Sequence, residues 1–166
     1  MWHNAMMSSD SHQYTVTFQG LAKSITCFSR AAFPASIDPT ISKSSRCTAL
    51  WDTGATGTCV SDKLASKLCL ESFGETIVQH AAGQSLMKTY LVDIILPLSS
   101  AKSSKPALTL VNVVATEFLA GQDIDIIIGM DIISSGDFAL THRGGNSTFS
   151  FSTPSFYHID FKDMRF

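Results

Sequence analysis

The 166-residue chain is predicted to be mostly β and to form a single domain. Three observations predict this. Short stretches alternate apolar and polar residues with period two. Gly, Pro, Ser and Asn clusters punctuate them, and no stretch sustains the 3.6-residue period of a long helix. Apolar residues make up 45% and charged residues 16% of the chain, which is enough apolar side chain to fill a core.

The elements follow in order. Residues 14–19 (Tyr-Thr-Val-Thr-Phe-Gln) alternate and are rich in β-branched and aromatic types, so they read as a strand. Residues 28–46 are Ser-, Ala- and Pro-rich with weak patterning and read as a loop. Residues 46–51 rise into a turn at Asp52. After it, Ser61 is placed to cap a short helix, with Asp62 at its positive end and Leu64 and Leu68 on one face.

Residues 75–80 and 85–96 read as two strands of a hairpin around Ala81-Ala82-Gly83-Gln84. Tyr90, Val92, Ile94 and Leu96 share a face of the second strand, and Pro97 ends it because proline cannot donate to a ladder. Residues 99–106 form a polar loop, 107–116 another strand, and 124–128 an apolar run of buried-strand length. Gly129 breaks that run, and 130–135 make a short helix ended by Gly136. Residues 138–141 and 148–151 form a last hairpin. The expected domain is 14–153, with a flexible segment at 1–13 and a tail at 154–166.

Composition excludes several function classes. The net charge is −2, and Lys and Arg are scattered, which argues against binding nucleic acid or a membrane surface by charge. The first ten residues lack the basic and apolar regions of a signal peptide, and the longest apolar stretches are too short to span a bilayer. The four cysteines lack C-x-x-C spacing and read as reduced, mostly buried thiols, so the expected compartment is cytoplasmic. His80, His142 and His158 have no metal-site spacing; no metal and no organic cofactor is expected. Asp131 after an apolar run resembles the acid of an NTPase strand, but no G-x-x-x-x-G-K-S/T accompanies it. Asn146-Ser147-Thr148 matches a glycosylation sequon and reads as a turn. Phe149, Phe151, Phe156 and Phe161 offer a partner-binding stripe, but such residues more often form the buried face of strands or a dimer seam, which is the expectation here.

The chemistry is carried by Asp52-Thr53-Gly54-Ala55-Thr56, which follows the apolar Ala49-Leu50-Trp51. Such a loop presents a carboxylate on a tight turn. Together with Asp125-Ile126-Ile127-Ile128-Gly129-Met130-Asp131, it resembles the single-lobed, retropepsin-like aspartic proteases, over roughly residues 46–140.

That resemblance implies a closed β-barrel-like fold with a flap hairpin and one or two short helices. It implies an endopeptidase in which Asp52, Thr53 and Gly54 form the catalytic triplet, Thr53 locking two such loops together. Leu50, Ala55, Thr56 and Ile127 would line the substrate site, the flap tip Ala82-Gly83-Gln84 would close over the peptide, and Ile128 and Gly129 would pack beneath the loop. Because the chain holds one Asp-Thr-Gly and no Asp-Ser-Gly, a second carboxylate requires a homodimer with a two-fold axis.

Two departures stand out. Retroviral members commonly pair an acid at the position of Thr56 with an Arg at that of Met130, and here both are missing together. Ala55 replaces the hydroxyl that two-lobed acid proteases place beside the carboxylate, which points to activity at mildly acidic to neutral pH. The alternative is a catalytically inactive dimerisation or peptide-binding module on the same fold.

Overall fold

The structure is a computed structural model that describes residues 11–80, 83–100, 107–119, 121, 123–158, 160 and 162. Among the described residues, eleven strands and two short helices run in the order β1 (His12–Phe18), β2 (Thr26–Ala32), β3 (Ser44–Trp51), β4 (Cys59–Ser61), α1 (Asp62–Leu68), β5 (Gly74–His80), β6 (Gly83–Leu96), β7 (Ser99–Ser100), β8 (Leu108–Phe118), β9 (Ile126–Ile128), α2 (Met130–Ile133), β10 (Asp137–Arg143) and β11 (Asn146–Thr153).

One sheet has the order β2-β3-β9-β4-β8-β6-β5, and a further β2–β6 pairing closes six of these strands into a barrel. The 14-residue β6 makes this possible. Along one edge, residues 83–89 pair with β5, and residues 93–95 pair with β2. The first half therefore projects as a hairpin while the second half seals the barrel. A register irregularity between Val92 and Ile94 marks the change, where Asn112 takes φ 55° and donates its N–H to Asp93 Oδ1 at 2.8 Å. Ala31, Ala49, Val60, Val92, Ile94, Leu96, Ala115, Ile126 and Ile128 fill the interior, with no accessible surface.

The second sheet has the order β10-β11-β1-β7. It packs on the barrel through aromatic rings: Trp51 lies 4.7 Å from Phe151 and 5.2 Å from Phe149, centroid to centroid. Phe149 and Phe151 are buried, as expected, whereas Phe156 is exposed and Phe161 lies outside the described residues.

The mostly β architecture, the closed barrel and the short helices match the expectation. Ser61 caps α1, its Oγ accepting the Leu64 N–H at 3.1 Å, and Leu64 and Leu68 are buried. The expected loop at 28–46 needs correction, because its first part belongs to β2. The inward residues of β2 are Cys27, Ser29 and Ala31, while Phe28 and Arg30 point out. Small inward and large outward residues invert the usual alternation. Ser99 and Ser100, read as loop, pair with Gln13 and His12 as β7. No described helix is long and apolar enough to cross a membrane.

Candidate active site

The end of β3 and the start of α2 build the candidate site. β3 lies beside β9 in parallel, with Leu50 opposite Ile127 and Trp51 opposite Ile128. At the strand end the Asp52 N–H donates to the Ile128 carbonyl at 3.0 Å. The chain then turns sharply, with Ala55 N donating to Asp52 O at 3.2 Å and Gly54 N donating to the Asp52 carboxylate Oδ1 at 2.8 Å. That last bond fixes the carboxylate on its own turn. A Cβ on Gly54 would stand 3.1 Å from the same oxygen, so the absence of a side chain there leaves the carboxylate its place.

A second set of bonds clamps this loop to α2. Met130 N donates to Ala55 O at 2.8 Å, and Asp131 N to Thr56 O at 3.2 Å. The Asp131 carboxylate accepts Thr58 N at 3.0 Å and Thr58 Oγ1 at 2.8 Å, while Gly129 N reaches Thr58 Oγ1 at 3.3 Å. A Cβ on Gly129 would sit 2.5 Å from the Gly57 carbonyl carbon and oxygen. Only glycine allows the two loops this approach, which is the physical reason for the apolar-apolar-Gly pattern. Asp125 performs a similar service below: its carboxylate accepts Thr48 N at 2.9 Å and its carbonyl accepts Ser61 N at 2.8 Å, tying β3 to β4.

Asp131 and Asp125 were not singled out as site residues from the sequence. A carboxylate that accepts backbone amides from a distant segment leaves no local spacing signal. The available clue was that positions 56 and 130 carry Thr and Met in place of a charged pair, which left the loop-to-helix clamp without an evident acid. Asp131, next to Met130, supplies it through Thr58.

Asp52 is half-buried, and Thr53, Gly54 and Thr56 are exposed. Beside them lies a cavity of about 390 Å³ lined by Leu50, Asp52, Thr53, Lys23, Phe138 and Leu140, among others. The structure thus brings Leu50, Asp52 and Thr53 to one concave surface. Ile127 is half-buried and neighbours Leu50 in the sheet without lining that cavity; Ile128 and Gly129 are buried under the loop. Gly83 and Gln84 sit at the end of the β5–β6 hairpin, where Gly83 takes φ 122°, and they do not line the cavity. Ala82 lies outside the described residues. Cys59 follows the loop, and its thiol is pushed up from the ordinary range by burial, then by Asp131 and Asp52, so it remains protonated.

A larger cavity of about 650 Å³, lined by Phe28, Arg30, Arg46, Ile95 and Pro97 among others, contains none of the predicted site residues. The cavity beside Asp52 is thus distinguished by its oriented carboxylate and not by its size. Among the described residues no three His, Cys, Asp or Glu side chains converge on a possible metal position.

Residues 37–132, which span β3, the Asp52 loop, the hairpin, β9 and most of α2, match the aspartyl protease family. The chain belongs to that family. Its Asp-Thr-Gly loop stands at the end of a strand of a closed barrel. Among solved structures it is similar to a retropepsin-like aspartic protease from Rickettsia conorii, at 10% identity over 86% of this chain and 95% of that chain, with a TM-score of 0.47. No curated protein matches this family member.

Proposed function

We propose that the chain is an aspartic endopeptidase whose active unit is a homodimer, with Asp52 of each subunit forming the catalytic dyad. The observation that carries this reading is the Asp52 carboxylate itself. It is held by the Gly54 N–H at 2.8 Å on a loop clamped to α2, and it stands at the rim of a cavity.

The chemistry requires two carboxylates about 3 Å apart, which cannot both ionise, as is known for aspartic proteases as a class. One carboxylate draws a proton from a trapped water. The water oxygen attacks the scissile carbonyl carbon, and the other carboxyl protonates the carbonyl oxygen. Thr53 and Gly54, both exposed at the loop tip, belong to the surface that would meet the second loop. Leu50, Ala55, Thr56 and Ile127 would receive substrate side chains, and the hairpin tip Ala82, Gly83 and Gln84 would cover the peptide, with backbone hydrogen bonds in the manner of strand addition. Protein or peptide is the substrate class, and no cofactor takes part in these steps.

The test is cleavage of a diverse peptide library by wild type and by Asp52→Asn, across mildly acidic to neutral pH. Asp52→Asn should lower turnover by about 10²–10⁴-fold while leaving folding and dimerisation intact. Folded, dimeric wild type that cleaves nothing would favour a peptide-binding module instead. A rate maximum at about pH 2 would contradict the role assigned to Ala55.

A further inference from the structure

Away from the Asp52 loop, Lys43 Nζ lies 2.7 Å from Cys69 Sγ. Both residues are held by their backbones. Lys43 immediately precedes β3, and its carbonyl accepts the Phe33 N–H at 2.9 Å. Cys69 caps α1 in the left-handed conformation, φ 56°, with its N–H directed at the carbonyls of Ala65 and Ser66. The preceding Leu68 is buried, and Cys69 is exposed, so the thiol is anchored yet open to solvent. The other cysteines are free as well, Cys27 and Cys47 being buried and Cys59 half-buried on the Asp52-loop strand. What faces the Cys69 sulfur is an amine.

The separation is informative. N–H···O hydrogen bonds run about 2.7–3.2 Å, and sulfur is a larger atom than oxygen, so 2.7 Å is too close for an ordinary N–H···S contact. It is the distance expected of nitrogen and sulfur joined through one bridging atom. We propose that Lys43 and Cys69 form a reversible covalent cross-link through a single oxygen, Nζ–O–Sγ, when the protein meets a peroxide.

The chemistry balances with two peroxide molecules. The thiolate attacks one oxygen of the first peroxide, whose O–O bond breaks, giving a sulfenic acid and one water. Lys43 releases its extra proton to solvent and reacts as the amine. The second peroxide accepts two electrons from the amine and sulfenic acid; the O–N bond forms and two waters leave. In total four electrons pass from sulfur and nitrogen to two O–O bonds. Two dithiol equivalents return the four electrons and restore thiol and amine with release of one water. The cross-link would staple the entry of the strand that carries Asp52 to the end of α1, from which the chain passes into the β5–β6 hairpin.

The experiment treats the full chain with hydrogen peroxide and maps a proteolytic digest by mass spectrometry, before and after dithiothreitol. The expected product is one pair of peptides joined through residues 43 and 69, heavier than their sum by one oxygen and lighter by two hydrogens. Dithiothreitol should remove it, and neither Lys43→Arg nor Cys69→Ser should form it. Joined peptides lacking the oxygen would overturn the oxygen bridge in favour of a direct S–N bond. Cys69 oxidised to sulfinic or sulfonic acid without joining would overturn the cross-link altogether, as would its persistence in Lys43→Arg.

Discussion

At the scale of single residues, the candidate site depends on carboxylates doing different work. Asp52 points its oxygen at its own turn, while Asp131 spends both oxygens on Thr58, accepting N–H at 3.0 Å and Oγ1–H at 2.8 Å. Asp131→Ala would strip Thr58 N and Oγ1 of their partner, and Thr58 is 1% exposed, so water is poorly placed to replace it. An unsatisfied buried donor costs about 1–3 kcal/mol. Asp131→Ala should therefore lower stability by about that much, and Asp131→Asn by less, because the amide oxygen can still accept one of the two bonds. Chemical denaturation of the three proteins checks this. Equal stability of wild type and Asp131→Ala would show that the clamp contributes nothing net.

At the scale of elements, β10 is anchored by the residues that follow β11. The Asp137 carboxylate accepts the N–H groups of Phe156 at 2.7 Å and Tyr157 at 3.1 Å, together with the hydroxyls of Ser155 and Ser152. The Phe156 amide, followed by the Ser155 hydroxyl, holds the Asp137 carboxyl below its ordinary 3.8. A depressed carboxylate contributes stability that is present above the unfolded value and is lost as pH falls through the folded one. Asp137→Asn should thus be less stable than wild type at neutral pH, and the gap should close as pH falls below about 3.8. Thermal melts of both proteins from pH 7 downward decide it; a gap that stays constant with pH would rule out this anchor.

Elements also show what the sequence could and could not reveal. The long strand β6 was legible because Tyr90, Val92, Ile94 and Leu96, in the half that seals the barrel, alternate cleanly and all are buried. α1 was legible because Ser61 and Asp62 announce its start. β2 was hidden because its interior positions carry Cys27, Ser29 and Ala31 and its outer face carries Phe28, 87% exposed. In the site, Asp52 and Gly129 declare themselves through local turn chemistry and close approach. The partnership of Asp131 with Thr58 joins positions 73 residues apart, and only the fold brings them together.

At the scale of the whole molecule, the barrel and the second sheet are coupled by Trp51, the residue immediately before Asp52. Its ring packs on Phe149 and Phe151, and Phe149 in turn meets Phe138 at 5.1 Å and Tyr14 at 6.2 Å. Phe149 has no accessible surface, so Phe149→Ala would open a cavity at the seam between the two sheets. Such truncations cost about 3–5 kcal/mol, a large share of the roughly 5–15 kcal/mol that holds a domain folded. Because Trp51 belongs to the barrel and Phe149 to the sheet, the loss should be felt by both at once. Phe149→Ala is therefore expected to unfold at lower denaturant in one transition, with Trp51 fluorescence and far-ultraviolet circular dichroism changing together. Trp2 also fluoresces, so the optical record is taken on a Trp2→Phe background. Two separated transitions would mean that the sheet melts independently of the barrel, and that the strand carrying Asp52 does not owe its position to the aromatic seam.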